Sequence, residues 1–586
     1  MQKITKLLLL LGCMTAISFS MAADTFNAGP FTYEVISYEN SQCRLVGTNS
    51  EISGEITIPD NVKYTFQRPD GIEDEIYDMA VTEIGNGALS YRGNIVKVVF
   101  GNNITLIGEG AFAGDTALEE IIMNDNIKKI GAGAFGNCDI LHTVKVPDSV
   151  EEIGNEAFAN DTWLESVEIG KNVTTIPAYC FRNCSNLIEF SCPDNLRRIE
   201  ESAFANCTLL QNVEFNEALE YIGPWAFNWC TNLLEINLPD NLNSIEAYTF
   251  YYCTAAEALK LGNKISIIEE NAFTGCSSLT DIFIPSSVKS IGNYAFQVCT
   301  NLTTVTGCEG LESIGEYCFG GDYLTGVYLS SITLHDNLKS IGAYAFYHNY
   351  AMTEFTVPKG VTEIGKGAFC YVAGLTSINL NNAIEVIPDE MCSSCPIKEI
   401  IIPESVKTIG DNAFLYCSDL EKVSIGNNVE SIGNSAFRGC KLTEVLLPDA
   451  TSVIEDLAFA DCNSLKTVTL GSGMSKIKPN AFAGNELETL ECRAVTPPTV
   501  FSETFTDWQF ENTTLIVPDE SLDAYGSKAY WKKFMNRIGA AVESIDVSNT
   551  TPIVRYDLNG KIVNDSYKGV SIIRNSDGTT KKIMKH

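Results

Sequence analysis

Apolar and polar residues alternate over short segments that recur along most of this chain. In residues 141–147, Val144 and Val146 are flanked by the polar Thr143 and Lys145. This spacing is typical of a half-buried β-strand with the valines inward. The segment closes with Pro147, which lacks a backbone donor, so we expect the strand to end before it. The pattern predicts one short strand per recurrence, with one side in a core and the other in solvent.

A second apolar segment and an Ala-Phe pair follow each predicted strand. In the same unit these are Val150 and Ile153, then Gly154, then the pair that ends at Phe158. Pro177 takes the place of this glycine in the next unit, and the fixed φ of proline suits the first residue of a short helical turn. Each unit is therefore predicted to contain one strand and one short helical turn that carries the Ala-Phe pair.

The second residue of this pair is an anchor that marks nineteen units, seventeen of them with phenylalanine. The anchors are Leu89, Phe112, Phe135, Phe158, Phe181, Phe204, Phe227, Phe250, Phe273, Phe296, Phe319, Phe346, Phe369, Cys392, Phe414, Phe437, Phe459, Phe482 and Phe505. The step is 23 residues, except for two steps of 22 and one of 27 between Phe319 and Phe346. One unit cannot bury its apolar side alone, so the period predicts a β-rich solenoid of about 19 stacked coils. At ~4.8 Å per coil, its length is on the order of 90 Å.

The whole unit reads Leu-x-x-Val-x-Val-Pro-x-x-Val-x-x-Ile-Gly-x-x-Ala-Phe-x-x-Cys from Leu141, with the Cys at the position of Cys184. It resembles the BspA-like leucine-rich-repeat surface proteins of host-associated bacteria, over roughly residues 50–540. The resemblance implies a leucine-rich-repeat arc, surface display, and adhesion to host proteins or to other cells. Better-known leucine-rich repeats carry Asn or Cys eight residues after the first Leu. Here that place holds Ser149, Asn195 or Asn241, so we expect no asparagine ladder in it.

The N-terminus is typical of an export signal. Residues 1–22 carry a positive start and an apolar run, which predicts cleavage near Ala23. A competing lipoprotein cleavage box ends at Cys13, which would then carry a lipid anchor. We expect no transmembrane segment after removal of the signal.

The repeat also sets the expected domain limits. Residues 23–80 break the pattern and predict an N-terminal β cap, in which the acidic stretch from Asp70 to Asp78 is a loop. Residues 81–518 are the predicted solenoid, and residues 519–540 have the spacing of a helical closing cap.

Residues 541–586 form a separate tail. Its elements YDLNGK (556–561) and DGTTKK (577–582) resemble a shortened version of the C-terminal sorting domain read by type IX secretion. Two short strands are predicted, over Arg555–Lys561 and Gly569–Arg574, followed by a turn and a basic end. The alternative interpretation is a small β hairpin that serves only as a structural end-piece.

Charge and cysteine usage narrow the range of partners. The formal net charge of −34 disfavours nucleic acid and anionic membranes. Eleven of the 20 cysteines fall three residues after an anchor, which predicts a small buried residue in one slot and mostly free thiols. The C-x-x-C pair Cys392 and Cys395 occupies repeat columns and has no second ligand pair nearby for zinc. We expect no metal and no cofactor.

Three outward-facing features are candidates for binding. The alternative interpretation of each is a solvated surface that binds nothing. The first is a row of strand acids that would meet a basic patch, namely Glu168, Glu189, Glu214 and Glu235. The second is an aromatic shelf, with both tryptophans outside the consensus columns. It is formed by Tyr221, Trp225 and Trp229 and, one coil later, by Tyr248, Tyr251 and Tyr252. The third is the 27-residue unit, whose insertion holds or adjoins Tyr323, Tyr328 and His335, since insertions map to loops.

These features favour a non-enzymatic protein at the outer cell surface or outside the cell. The first hypothesis is an adhesin or interaction scaffold that binds host or bacterial proteins. The alternative is an exported carbohydrate-binding protein that uses the aromatic shelf. An enzyme is the third hypothesis, since none of the four histidines lies in a recognisable catalytic motif.

Overall fold

The computed structural model describes residues 24–67 and 74–540, together with the strand segments 554–557, 569–574 and 580–585. The predicted export signal and Cys13 lie outside these residues. Within the described part, no helix is both long enough and apolar enough to cross a membrane.

The repeat region is a parallel β-solenoid, as the period predicts, and its first stack of strands forms one side that we call the strand face. Most consecutive strands pair 23 residues apart, as in Val144 opposite Val167, and pairing is interrupted at five places in the described part of this face. Thr143 and Lys145 are exposed and Val144 is buried, which confirms the predicted alternation. The strands of this face are β7 (Ile95–Phe100), β9 (Glu120–Ile122), β11 (Thr143–Lys145), β13 (Ser166–Glu168), β15 (Glu189–Ser191), β17 (Asn212–Glu214), β19 (Glu235–Asn237), β21 (Ala258–Lys260), β23 (Asp281–Ile284), β25 (Thr304–Gly307), β27 (Ser331–Ile332), β29 (Glu354–Thr356), β31 (Ser377–Asn379), β33 (Glu399–Ile401), β35 (Lys422–Ser424), β37 (Glu444–Leu446), β39 (Thr467–Leu470) and β41 (Thr489–Cys492).

The second apolar segment of each unit is a strand as well, which the sequence pattern did not predict. Its two residues pair in parallel with the next coil, as in Ile130 opposite Ile153. These strands are β8 (Leu106–Ile107), β10 (Lys129–Ile130), β12 (Glu152–Ile153), β14 (Thr175–Ile176), β16 (Arg198–Ile199), β18 (Tyr221–Ile222), β20 (Ser244–Ile245), β22 (Ile267–Ile268), β24 (Ser290–Ile291), β26 (Ser313–Ile314), β28 (Ser340–Ile341), β30 (Glu363–Ile364), β32 (Val386–Ile387), β34 (Thr408–Ile409), β36 (Ser431–Ile432), β38 (Val453–Ile454) and β40 (Lys476–Ile477).

The Ala-Phe segment, which we call the turn face, is a run of tight turns, so the predicted helical turn is wrong. Cys180 donates its N–H to Pro177 O (3.2 Å) and closes one turn, whereas Phe181 donates to Ala203 O (2.8 Å) in the next coil. The residues two before and two after most anchors have positive φ, such as Tyr179 at 60°. Alternate N–H groups therefore point along the solenoid axis and bond between coils, which a helical turn does not allow.

The anchors form the buried row that the sequence predicts. The rings of Phe112 and Phe135 are stacked with centroids 5.3 Å apart and planes 6° from parallel. The same near-parallel stacking continues through most of the repeat and is interrupted where Cys392 replaces a phenylalanine.

The cysteine slot has a specific hydrogen-bonding role. Cys184 directs its S–H to the carbonyl oxygen of Phe158, the anchor one coil earlier, at 3.1 Å. Asn485 occupies the same slot and donates Nδ2 to Phe459 O at 2.7 Å. The nineteen cysteines of the described residues are free, and all except Cys192 are buried. The slot therefore selects a small side chain with a hydrogen to donate.

The N-terminal cap consists of β1 (Thr25–Ala28), β2 (Phe31–Ser37), β3 (Gln42–Thr48), β4 (Gly54–Ile58), β5 (Asn61–Phe66) and β6 (Glu75–Ile84). The first three strands are antiparallel, and β4 already pairs in parallel with β7 of the strand face. Part of the predicted acidic loop is wrong, because Glu75 to Asp78 pair with β5 inside β6. This strand crosses the expected domain limit at residue 80.

The C-terminal cap is only partly helical, which corrects the predicted helical closure. It contains α1 (Asp507–Asn512), β42 (Thr514–Pro518), α2 (Leu522–Ser527), β43 (Asn536–Ala540) and two 3₁₀ turns (Asp519–Ser521 and Trp531–Lys533). Strand β43 pairs in parallel with β42, so the strand face ends in a strand. The apolar spacing arises because Tyr525, Trp531 and Phe534 pack beneath the last coil rather than along one helix.

The tail contains three strands, β44 (Val554–Asp557), β45 (Gly569–Arg574) and β46 (Thr580–Lys585). They pair antiparallel in chain order. Both predicted strands are present, the first over Val554–Asp557 of the described residues and the second with the predicted limits Gly569–Arg574. The basic end is a third strand.

Candidate functional site

The four predicted acids of the strand face fall into two columns, so the single acidic row is wrong. Glu189 lies opposite Ser166, two residues before Glu168. Glu189 and Glu235 therefore share one column, and Glu168 and Glu214 share the other. The physical reason is the register of 23 residues, whereas these acids follow one another at steps of 21, 25 and 21.

The local partners of these acids differ. Glu168 forms an ion pair with Lys145, with Nζ and Oε2 2.9 Å apart. Glu214 accepts a hydrogen bond from Ser191 Oγ at 2.8 Å, and Glu235 accepts one from Asn237 Nδ2 at 3.0 Å. Within the described residues, neither of these two carboxylates has a cationic partner, so they keep their negative charge available.

Glu214 and Glu235 lie on either side of a break in the strand face. Strands β17 and β19 are not hydrogen-bonded to each other, and a groove of about 380 Å³ lies between them. Glu214 is on one wall and Glu235 on the other. Phe215 also lines this groove, in the column just before the one where many units have proline. We call this opening the acidic groove.

Trp225 and Trp229 occupy regular columns of the turn face, contrary to the expectation that they lie outside the consensus columns. Trp225 is two residues before its anchor and Trp229 two after, and both have positive φ, at 60° and 59°. Trp225 is stacked on Tyr248 at 3.9 Å, and Trp229 on Tyr252 at 4.9 Å, each pair with planes 6° from parallel. The left-handed backbone directs these side chains outward at the same angle in every coil.

The structure brings most rings of the predicted shelf into contact and sets one member apart. Tyr251 tilts against Tyr252 with centroids 4.6 Å apart, and so joins the cluster. Tyr221 lies instead in β18, where the guanidinium of Arg198 covers its ring at 4.1 Å. Among the described residues, no ring contact links Tyr221 to Trp225. The shelf is therefore formed by Trp225, Trp229, Tyr248, Tyr251 and Tyr252.

The same columns carry further ladders that the sequence reading missed. Tyr294 is stacked on Tyr317 at 5.4 Å, and Tyr317 on Tyr344 at 4.8 Å. Burial raises the pKa of Tyr317 to about 12, which keeps its phenol neutral. An asparagine ladder occupies the column two residues after the anchor, as in the bond from Asn183 Nδ2 to Asn160 Oδ1 at 2.6 Å. The signal was the fixed distance of these residues from the anchors.

The 27-residue unit forms an exposed aromatic tip, as the insertion predicts. Tyr323 and Leu324 are 78% and 79% exposed, and Tyr328 is 52% exposed. Tyr328 packs edge-on against Tyr350, with centroids 5.8 Å apart. The predicted His335 is set apart from them, with Nε2 3.2 Å from Gly307 O.

Several solved structures are similar to this chain. A leucine-rich-repeat protein from Bacteroides ovatus is 22% identical, with 80% of this chain and 94% of that chain covered and a TM-score of 0.34. A leucine-rich cell surface protein from Faecalibacterium prausnitzii is 21% identical, with coverages of 77% and 95% and a TM-score of 0.31. The pneumococcal vaccine antigen PcpA is 17% identical, with coverages of 80% and 94% and a TM-score of 0.31. A comparison with curated proteins gives no match.

The family model for the BspA type leucine rich repeat region matches four overlapping segments, residues 82–210, 197–325, 324–420 and 385–515. Together these matches span the two ladders, the anchor row and the cysteine slot. Because this family model matches more than half of the chain, the chain belongs to the BspA-type leucine-rich-repeat family.

Proposed function

We propose that this protein is exported to the outer cell surface or beyond it and binds host or bacterial proteins, as an adhesin or interaction scaffold. The observation that supports this most directly is the acidic groove. It lies at one of five places where neighbouring strands of the described strand face are not paired, and it has Glu214 and Glu235 on facing walls without cationic partners among the described residues. A protein with an exposed lysine or arginine patch is the partner that such a groove favours.

A protein array probed with the purified chain tests this proposal. We expect binding to arrayed proteins with basic surfaces, weakened at higher salt because exposed charges are screened. The double variant Glu214→Lys/Glu235→Lys should lose most of this binding. The matched control is Glu109→Lys/Glu156→Lys, which makes the same charge change at exposed positions of the turn face and should retain it. Binding that is equal in both variants would contradict the role of the acidic groove.

Export and anchoring are tested separately in cells. We propose that residues 1–22 direct export, that Cys13 is the lipid site if the chain is anchored, and that residues 541–586 act as a sorting signal. Cell fractionation with surface protease should find the chain accessible outside the cell. Deletion of residues 541–586 should then trap it inside, whereas unchanged surface display would favour a purely structural tail. Cys13→Ala separates a lipidated from a released form.

The second candidate function is carbohydrate binding on the aromatic shelf. The observation that favours it is where the shelf begins, because Trp225 and Trp229 follow Ser202 and Asn206 in their columns. The small preceding side chains leave one side of each indole uncovered by a ring, and Trp229 is 43% exposed. Flat aromatic faces of this kind stack on sugars. A glycan array should show binding that Trp225→Ala/Trp229→Ala abolishes, and an unchanged glycan profile in a folded variant would remove this candidate.

A further inference from the structure

The coil with four extra residues stands at another of the places where the strand face is unpaired, between β27 and β29. Strand β27 pairs with β25, but no backbone hydrogen bond of the described residues joins it to β29 on its other side. A cleft of about 570 Å³ fills this gap, within the size range of ligand sites. One wall is formed by residues 330–334 and the other by Met352 and residues 354–359. We call this opening the long-coil cleft.

Hydrogen bonds close the cleft at both ends. At one end Tyr350 donates its N–H to Val327 O at 2.9 Å. At the other end Lys359 donates its N–H to Asp336 Oδ1 at 3.0 Å. The opening is therefore local and built into the fold, rather than a general separation of two coils.

The walls of the cleft present free backbone groups. Thr333 donates its N–H to Val305 O at 3.0 Å, away from the cleft. Val357 likewise donates to Asn379 O at 2.9 Å, on the far side of the other wall. Successive residues of a strand direct their backbone groups to opposite sides. Ile332 is one residue from Thr333, and Glu354 is three residues from Val357. The backbone N–H and C=O groups of Ile332 and Glu354 therefore face the cleft.

The side chains give the cleft an apolar floor and an acidic rim. Ile332 has the inward position of its column, between the buried Val305 and Phe355, yet it remains partly exposed to solvent. Lys359 is 3.9 Å from Asp336, so their charges offset each other. Glu354 is exposed and has no cationic partner among the described residues, which leaves the rim with one uncompensated negative charge.

We propose that the long-coil cleft binds a short, extended, basic peptide segment of a partner protein. The segment adds as a strand to the free backbone groups of the two walls, a mode in which main-chain hydrogen bonds supply affinity. Its lysine or arginine meets Glu354, and an apolar side chain one residue away covers Ile332. This inference rests on the proposed protein-binding function and names the site and the chemistry of the segment bound there.

Fluorescence polarisation with the full mature chain tests the proposal. The probes are blocked, labelled synthetic peptides in basic, neutral and acidic sets of equal apolar content. We expect the basic set to bind, and to lose about tenfold or more in affinity when alternate residues are N-methylated, because this removes strand donors. Glu354→Lys should weaken the basic set by about tenfold or more, and Glu354→Gln by less. Glu189→Lys lies in the same column but in β15, which is paired on both sides, and should leave binding unchanged.

Equal binding of all three sets, or binding that survives Glu354→Lys in a chain with an unchanged melting curve, would overturn the proposal. So would glycan binding that Glu354→Lys abolishes, because the cleft would then take a different class of ligand. The protein array separates this failure from that of the proposed function. Array binding without peptide binding removes only the cleft, whereas a chain that binds no arrayed protein removes the proposed function itself.

Discussion

The indole of Trp225 lies flat on the ring of Tyr248 from the next coil, with centroids 3.9 Å apart and planes 6° from parallel. Both residues have φ of 60° and stand two positions before their anchors. The repeat therefore builds this contact, since the same backbone conformation recurs in the next coil. A stacked aromatic pair of this kind is worth roughly 0.5–1.5 kcal/mol beyond the area it buries.

A double-mutant cycle on Trp225→Ala and Tyr248→Ala should give a coupling of about 1 kcal/mol in urea unfolding. The physical reason is the direct stack, which either single substitution already removes. The matched pair is Trp225→Ala with Tyr317→Ala, which are four coils apart and should give additive effects. Coupling equal in the two cycles would show that the stack itself adds nothing.

The left-handed turn positions predict that glycine stabilises some coils. Glu156 has φ of 59°, is exposed, and stands in a column where other units carry glycine, such as Gly133. Glu156→Gly should raise the free energy of unfolding by about 1 kcal/mol, because a side chain at positive φ is strained. Thr143→Gly, an exposed position within β11, should lower it by a similar amount. A loss of stability in both variants would contradict this account of the turn face.

The buried carboxyl of Asp161 predicts a pH dependence. It occupies the cysteine slot, accepts the N–H of Cys138 at 2.8 Å, and its Oδ2 has no partner. Burial raises the pKa of Asp161 well above its ordinary value of 3.8. Because the pKa of Asp161 is raised in the folded chain, its buried carboxyl is neutral below about pH 4 and does not destabilise the fold there. Its contribution to stability is lost as the pH rises through the raised pKa.

Asp161→Asn should therefore match the native chain near pH 4 and be more stable by about 1–3 kcal/mol at pH 7. The amide can accept from Cys138 and donate to the carbonyl of the preceding anchor, as Asn485 does in its own coil. Denaturation curves across this pH range measure the difference. Asp139→Asn changes an exposed acid nearby and is expected to be neutral. Parallel pH profiles for native chain and Asp161→Asn would count against the raised pKa.

Cysteine reactivity is expected to follow burial. Cys192 is the one partly exposed cysteine among those described, although burial still raises its pKa to about 12. A thiol reagent should modify it first, slowly, and the remaining thiols only after unfolding. Cys192→Ala should abolish the early phase, and Cys207→Ala should leave it intact. Titration in denaturant without reductant should find the nineteen described cysteines reduced. A largely oxidised chain would refute the interpretation of the slot.

The acidic groove and the long-coil cleft depend on which neighbouring strands pair, and the sequence pattern of one unit does not predict this. The alternation around Glu214 and Glu235 predicts two exposed strands, and the structure has them. Whether neighbouring strands pair depends on how side chains pack between two coils, which involves residues more than 20 positions apart. The pattern of one unit therefore could not predict that β17 separates from β19 or β27 from β29.

The sequence by itself determined the solenoid, the number and phase of its coils, the inward and outward strand positions, the phenylalanine row and the buried cysteine slot. Each of these depends on a period that one unit already contains. Only the tertiary structure decided that the Ala-Phe segment is a left-handed turn, and that Trp225 stacks on Tyr248. It also decided that Glu168 and Glu189 stand in different columns. The reason is that these relations arise between coils, where register and backbone hydrogen bonds set which side chains meet.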